Sequence, residues 1–153
     1  MSPNTLQIKA AIQIQKAPEE VFEAIVDPEK MSNYFIARGS GRMEEGKLIS
    51  WKFPEFDFEL PIRVGKIEKD QYISYFWEVD QLELLVEFIL TPAGQNDTLV
   101  TVTEKSRENN EAGIKWLGQN TEGWANFLAC LKCFLEYGIN LRKGAFDYMK
   151  QQG

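Results

Sequence analysis

From Glu122 to Arg142 the chain reads EGWANFLACLKCFLEYGINLR, the most apolar stretch of an otherwise polar and acidic sequence. At 100° per residue, Trp124, Phe127, Leu128, Phe134, Leu135 and Gly138 all fall within about 60° of Leu131, so one face of a helix is apolar along its length. A membrane is not its cover, because Asn126, Lys132 and Glu136 interrupt the run well short of the roughly 20 apolar residues a bilayer span requires. The stripe has to be buried by protein, and tertiary packing rather than intrinsic propensity fixes the helix.

The preceding residues supply that cover. LQIKAAIQIQ alternates Leu6, Ile8, Ala10, Ile12 and Ile14 against mostly polar neighbours, the period of a strand with one buried face. APEEVFEAIVDPEKMSNYF then places Pro18 at a first helical position, acids in the first turn, and Val21, Phe22 and Ile25 at helical spacing. Pro28 breaks that helix and a second short one follows. From Gly39 to Ser106 the pattern is strand after strand, punctuated by turn signals at EEG, EKDQ and PAGQND. Leu82, Leu84, Val86, Phe88 and Leu90 share one phase there, and Ile73, Tyr75 and Trp77 another. Pro61 marks an edge position or a bulge. EKSRENNEAG reads as a charged connector, after which the period changes to that of the last helix, about 30 Å long. The expected fold is α+β: a curved antiparallel sheet wrapped around a long C-terminal helix, with two short helices after the first strand.

At 153 residues this is one domain, large enough to bury about two-thirds of its unfolded surface, with disorder confined to MSPNT and KQQG at the ends. The net charge of −6 repels nucleic-acid phosphates and anionic headgroups, so neither nucleic acid nor membrane is expected as a partner. No charged segment followed by an apolar run opens the chain, and two cysteines make no disulfide framework, so the expected location is cytoplasmic.

The chemistry is bounded by one absence. There is no histidine, which removes Ser-His-Asp and Cys-His catalysis and imidazole metal ligation. Cys130 and Cys133 have redox or zinc spacing, but mid-helix they point about 60° apart, far from a helix N-terminus that would activate a thiol. No other Cys or His completes a zinc site, and the pair reads as two ordinary small residues. The GSG and EEG glycines are turn residues, since neither precedes a helix as a phosphate fingerprint does. No catalytic residue, metal or cofactor is implied.

Several stretches together resemble the helix-grip, START-like (Bet v 1-like) domains of the SRPBCC superfamily. They are IQIQKAPEEVFEAIVDPEKMSNYF, the strands GKLISWKF, IRVGKIEKDQYISYFWE and TLVTVTEKS, and above all GWANFLACLKCFLEYG. Within that superfamily the chain is most similar to the family named for the activator of the heat-shock protein 90 ATPase, in its bacterial stand-alone form. The resemblance covers a core of about residues 6–138 of a single domain spanning 1–153. The extension 139–153 departs from it, and caps the sheet, covers a pocket mouth or meets another subunit. The resemblance implies a hydrophobic small molecule held between helix and sheet. Trp51, Phe53, Tyr75, Trp77 and Phe88 share phases that face Trp124, Phe127 and Leu128, and these eight residues are the expected ligand-binding set. Tyr75, Trp51 and Trp77 each offer a hydrogen-bond donor there.

A ligand binder is therefore the first reading, and not an enzyme. The second is a protein interaction module, homodimeric or in contact with a chaperone, with a filled core; Leu85 and Ile89 motivate it, because they lie opposite the core phase of their strand. A cyclase- or hydrolase-like enzyme of the kind found among more distant relatives is the third, with no residue to carry it.

Overall fold

The computed structural model describes residues 4–152. The expectation of disorder at the ends concerns in part residues 1–3 and 153, which lie outside the described residues; Thr5 already begins a strand.

β1 (Thr5–Ile14) keeps the period of two seen in its sequence, with Ile8 and Ile14 fully buried while Lys9 and Gln13 are exposed. α1 (Pro18–Val26) starts on Pro18, carries Glu19 and Glu20 in its first turn, and buries Val21, Phe22, Ala24, Ile25 and Val26. Asp27 ends it and caps α2 (Pro28–Met31), its carboxylate accepting the Glu29 N–H at 2.9 Å. β2 (Arg38–Gly39), β3 (Leu48–Lys52), β4 (Glu59–Glu68), β5 (Tyr72–Val79), β6 (Leu82–Ala93) and β7 (Asp97–Glu108) follow as an antiparallel meander.

Among the described residues the seven strands form one curved sheet in the order β1-β7-β6-β5-β4-β3-β2. β1 and β2 are its two edges, so the chain crosses from one to the other through α1 and α2. Pro61 lies in an interior strand, yet it pairs only with Ser50 of β3, because pairing of β4 with β5 begins at Arg63. Locally its missing N–H therefore faces an edge. The bulge is a few residues further on, between Val64 and Ile67. Gly65 sits in it, where an added Cβ would come within 2.7 Å of the Ser74 Oγ.

α3 (Glu111–Tyr137) crosses the concave face and packs on β1 and β7. It is 27 residues and so about 40 Å long. The charged connector expected over 104–113 is accordingly much shorter than its composition implied. Glu104–Glu108 complete β7, and Asn110 caps α3 by accepting the Gly113 N–H at 2.8 Å. The polar residues of the first turns are the solvent face of a helix whose inner face already carries Trp116. Gly138, at φ 67°, ends it in the left-handed conformation that glycine tolerates best.

Two polar clasps tie α3 to the first strand: the Lys132 ammonium donates to the Gln13 carbonyl at 2.7 Å, and the Gln15 N–H donates to the Glu136 carboxylate at 2.7 Å. Beyond Gly138 the chain turns back and ends in a 3-10 segment (Asp147–Gln152). It is pinned by a two-pronged ion pair from Arg142 to Glu55, at 2.8 and 3.0 Å, with both side chains largely buried.

Candidate ligand site

The eight residues expected at the site come together. Trp51 from β3, Tyr75 and Trp77 from β5 and Phe88 from β6 all point from the concave face toward α3. Ring centroids lie 5.1 Å apart for Trp51 and Tyr75, 5.2 Å for Tyr75 and Trp77, and 5.8 Å for Trp77 and Trp124. Phe88 touches Trp124 at 5.7 Å and Phe127 at 5.5 Å, mostly edge to face or tilted as ring quadrupoles favour. Leu128 is buried on the same helix and contributes an aliphatic side chain to the core. Phe53 lies just past the end of β3 and reaches the others through Phe35, 5.0 Å away.

Phe35 did not stand out in the sequence. It comes from the irregular segment between α2 and β2 and meets Trp51, Phe53, Trp124 and Phe127 at 4.7–6.0 Å. The region where an open space was expected is therefore occupied by contacting rings, with Phe35 among them. On its outer side Phe35 lines a cleft of about 320 Å³, together with Tyr34, Glu55, Asn140, Arg142 and Gly144. One ring thus stands between the cleft and the aromatic interior, and the C-terminal extension forms the opposite wall. A wider open groove of about 640 Å³, lined by Glu19, Glu20, Glu23, Lys30, Lys69 and Asp70 with Phe134 and Leu135, includes none of the eight.

The interior is polar at one point. Glu104 of β7 is completely buried, in phase with Val100 and Val102 on the core face. Its carboxylate accepts the Trp124 indole N–H at 2.8 Å, the Trp77 indole N–H at 3.0 Å and the Asn120 amide at 3.2 Å. All three donors are neutral, and among the described residues no lysine or arginine pairs with it: Lys105 pairs with Glu87 and Arg107 with Asp80. The Tyr75 hydroxyl, also completely buried, has no hydrogen-bond partner among the described residues, and neither does the buried Trp116 indole N–H. Desolvation holds the Tyr75 phenol well above its ordinary pKa, and the negative charge of Glu104 adds to it. The Trp77 indole N–H, expected as a donor open to a ligand, is instead taken by Glu104, while the Tyr75 hydroxyl is a donor without a partner among the described residues. Cys130 is buried in the same helix, its thiol pKa raised by that burial, which is the state of an inert cysteine.

Residues 15–136 match the family model of Activator of Hsp90 ATPase homolog 1-like protein. The chain belongs to this family. A Staphylococcus saprophyticus protein of solved structure shares 33% identity and a TM-score of 0.78 with it, the match covering 88% of this chain and 94% of that one. The Aha1 dimer from Colwellia psychrerythraea, solved in solution, gives a TM-score of 0.74 at 21% identity over 87% of this chain and 98% of that one. A putative protein of the dynemicin biosynthetic locus gives 0.77 at 24% identity over 88% of this chain, which spans only 48% of that protein. No curated protein matches. The helix-grip architecture is thus that of the Aha1-like family, and no helix among the described residues is long and apolar enough to cross a membrane.

Proposed function

We propose that this Aha1-like domain binds a small aromatic or apolar molecule between α3 and the concave face of the sheet. The observation that carries this reading is the Tyr75 hydroxyl, fully buried among rings and without a partner among the described residues. Buried hydroxyls in native proteins are nearly always satisfied, and leaving one unpaired costs about 1–3 kcal/mol. A ligand's polar group is the partner this donor is missing. Phe35, carried by an irregular segment rather than by a strand or helix, is the ring that moves aside, and the cleft beneath the C-terminal extension is the way in.

The test is a panel of aromatic metabolites and short lipids added to the purified protein, followed by tryptophan fluorescence and thermal melting. At a hundredfold excess over Kd a ligand stabilises the folded state by about 2.7 kcal/mol. For a domain of this size that raises Tm by roughly 5–10 °C. A flat response in both readouts across a broad panel removes the proposal.

A second reading is a homodimer or chaperone-contacting module. Large apolar side chains are exposed, Leu48 at 71%, Tyr137 at 68% and Phe58 at 56%, and the Colwellia psychrerythraea relative is a dimer. Leu85 and Ile89 do lie on the convex face, half-buried and exposed respectively. Sedimentation as a monomer, unchanged by Leu85→Lys, counts against it.

A further inference from the structure

We infer that the ligand of this interior carries a protonated amine and that Glu104 is its counter-ion. The inference rests on the reading of the aromatic interior as a binding site and adds the chemical class of the ligand. A carboxylate removed from water is costly unless a cation accompanies it, and breaking such a pair costs several kcal/mol more than breaking a neutral hydrogen bond. Glu104 has 0% exposure and is held only by neutral N–H groups. Its hydrogen-bonding capacity is not exhausted either. Oε1 accepts two of the three bonds and Oε2 only one, whereas a carboxylate offers about four acceptor positions.

The three donors are not equivalent. The two indoles are fixed by the ring cluster, at 2.8 and 3.0 Å. The Asn120 amide is the longest bond, at 3.2 Å, and comes from a half-buried residue beside the half-buried Trp77. An ammonium group that reaches Glu104 takes the place of the Asn120 amide and converts a neutral contact into a charge-assisted one. The unpartnered Tyr75 hydroxyl is a second polar group at this place, available to an acceptor elsewhere on the same ligand.

The experiment compares three probes of one shape by calorimetric titration at neutral pH: phenethylamine, 2-phenylethanol and phenylacetate. Wild-type protein is expected to prefer the amine over the alcohol by on the order of tenfold and to reject the acid. Glu104→Gln keeps the shape, removes the charge, and is expected to abolish the preference for the amine while alcohol binding persists. Asn120→Ala, at a half-buried position, is expected to tighten amine binding roughly two- to threefold by vacating the acceptor. Equal binding of amine and alcohol, a preference that survives in Glu104→Gln, or weaker amine binding in Asn120→Ala overturns the inference and leaves the binding site standing. If none of the probes binds and the broader panel is also silent, the site itself is gone. Should Glu104→Gln fail to fold, the wild-type ranking and the Asn120→Ala result still decide.

Discussion

Three N–H groups converge on the Glu104 carboxylate, and two of them belong to tryptophans of the candidate site. Replacing Glu104 by Leu removes the buried charge but strands two indole N–H groups, each at a cost of about 1–3 kcal/mol. A loss of roughly 2–5 kcal/mol in urea unfolding is expected. Trp116→Phe is the contrasting case. Its indole N–H has no partner to lose, so the change is expected to cost no more than about 1 kcal/mol, where Trp124→Phe costs more. Glu104 was legible in one respect: it continues the Val100, Val102 phase and is an acid on a core face. Reading it as the start of a charged connector hid that signal, because charge ordinarily marks surface. What the sequence does not contain is the convergence itself, since Trp77 and Trp124 lie 27 and 20 residues away and meet Glu104 only once the sheet and helix have packed.

α3 offers a sharper test at the scale of an element, because its glycines differ only in what surrounds them. A Cβ on Gly113 would stand 1.9 Å from the Glu108 carbonyl oxygen, where only a backbone shift can make room. Gly118 and Gly123 are exposed, with nothing within 4 Å of a Cβ. Gly118→Ala and Gly123→Ala are therefore expected to stabilise the protein by about 0.5–1 kcal/mol each, and Gly113→Ala to destabilise it, all by thermal or urea unfolding. The other end of the helix carries a pH dependence. Burial raises the Glu136 carboxyl pKa, but the Gln15 N–H and the Lys132 ammonium outweigh it and hold the group below its ordinary value of 4.5. A carboxyl depressed in the folded state contributes stability that is complete above the unfolded value and is lost as pH falls through the folded one. Glu136→Gln is thus expected to be less stable than wild type at neutral pH, and the gap to narrow below about pH 4.5. A gap of constant size down to pH 3 would contradict this. Periodicity found this helix and its buried face, from Trp124 through Leu131, but not its start. The residues from 111 to 122 are polar on most of their surface, and Asn110 alone announces the cap.

For the whole molecule, apolar phase was enough to read an antiparallel meander with a helix across it, whereas the pairing of β1 with β7, reached by one crossing through α1 and α2, was not read from the sequence. The candidate site was legible as a set of eight facing residues, whereas the ring that fills the space among them was not. Phe35 belongs to no periodic element, and nothing in its neighbours sets its direction. The extension past Gly138 was equally opaque, because it is held at long range through Arg142, which pairs with Glu55 and lies over the Phe53 ring. Glu55→Gln leaves a buried guanidinium without its charge partner. A loss of about 2–4 kcal/mol is expected, with faster amide exchange from Ile139 to Lys150 before the sheet itself opens. Occupancy of the aromatic interior is the central claim, and the indoles report on it directly. Four tryptophans give four indole N–H resonances, and a titration with phenethylamine and the neutral aromatic panel reads them one by one. The indole signals of Trp77 and Trp124, both bonded to Glu104, are expected to move in a saturable way with a binding ligand. Four stationary indole signals under every compound, at concentrations up to the millimolar range, would contradict that claim.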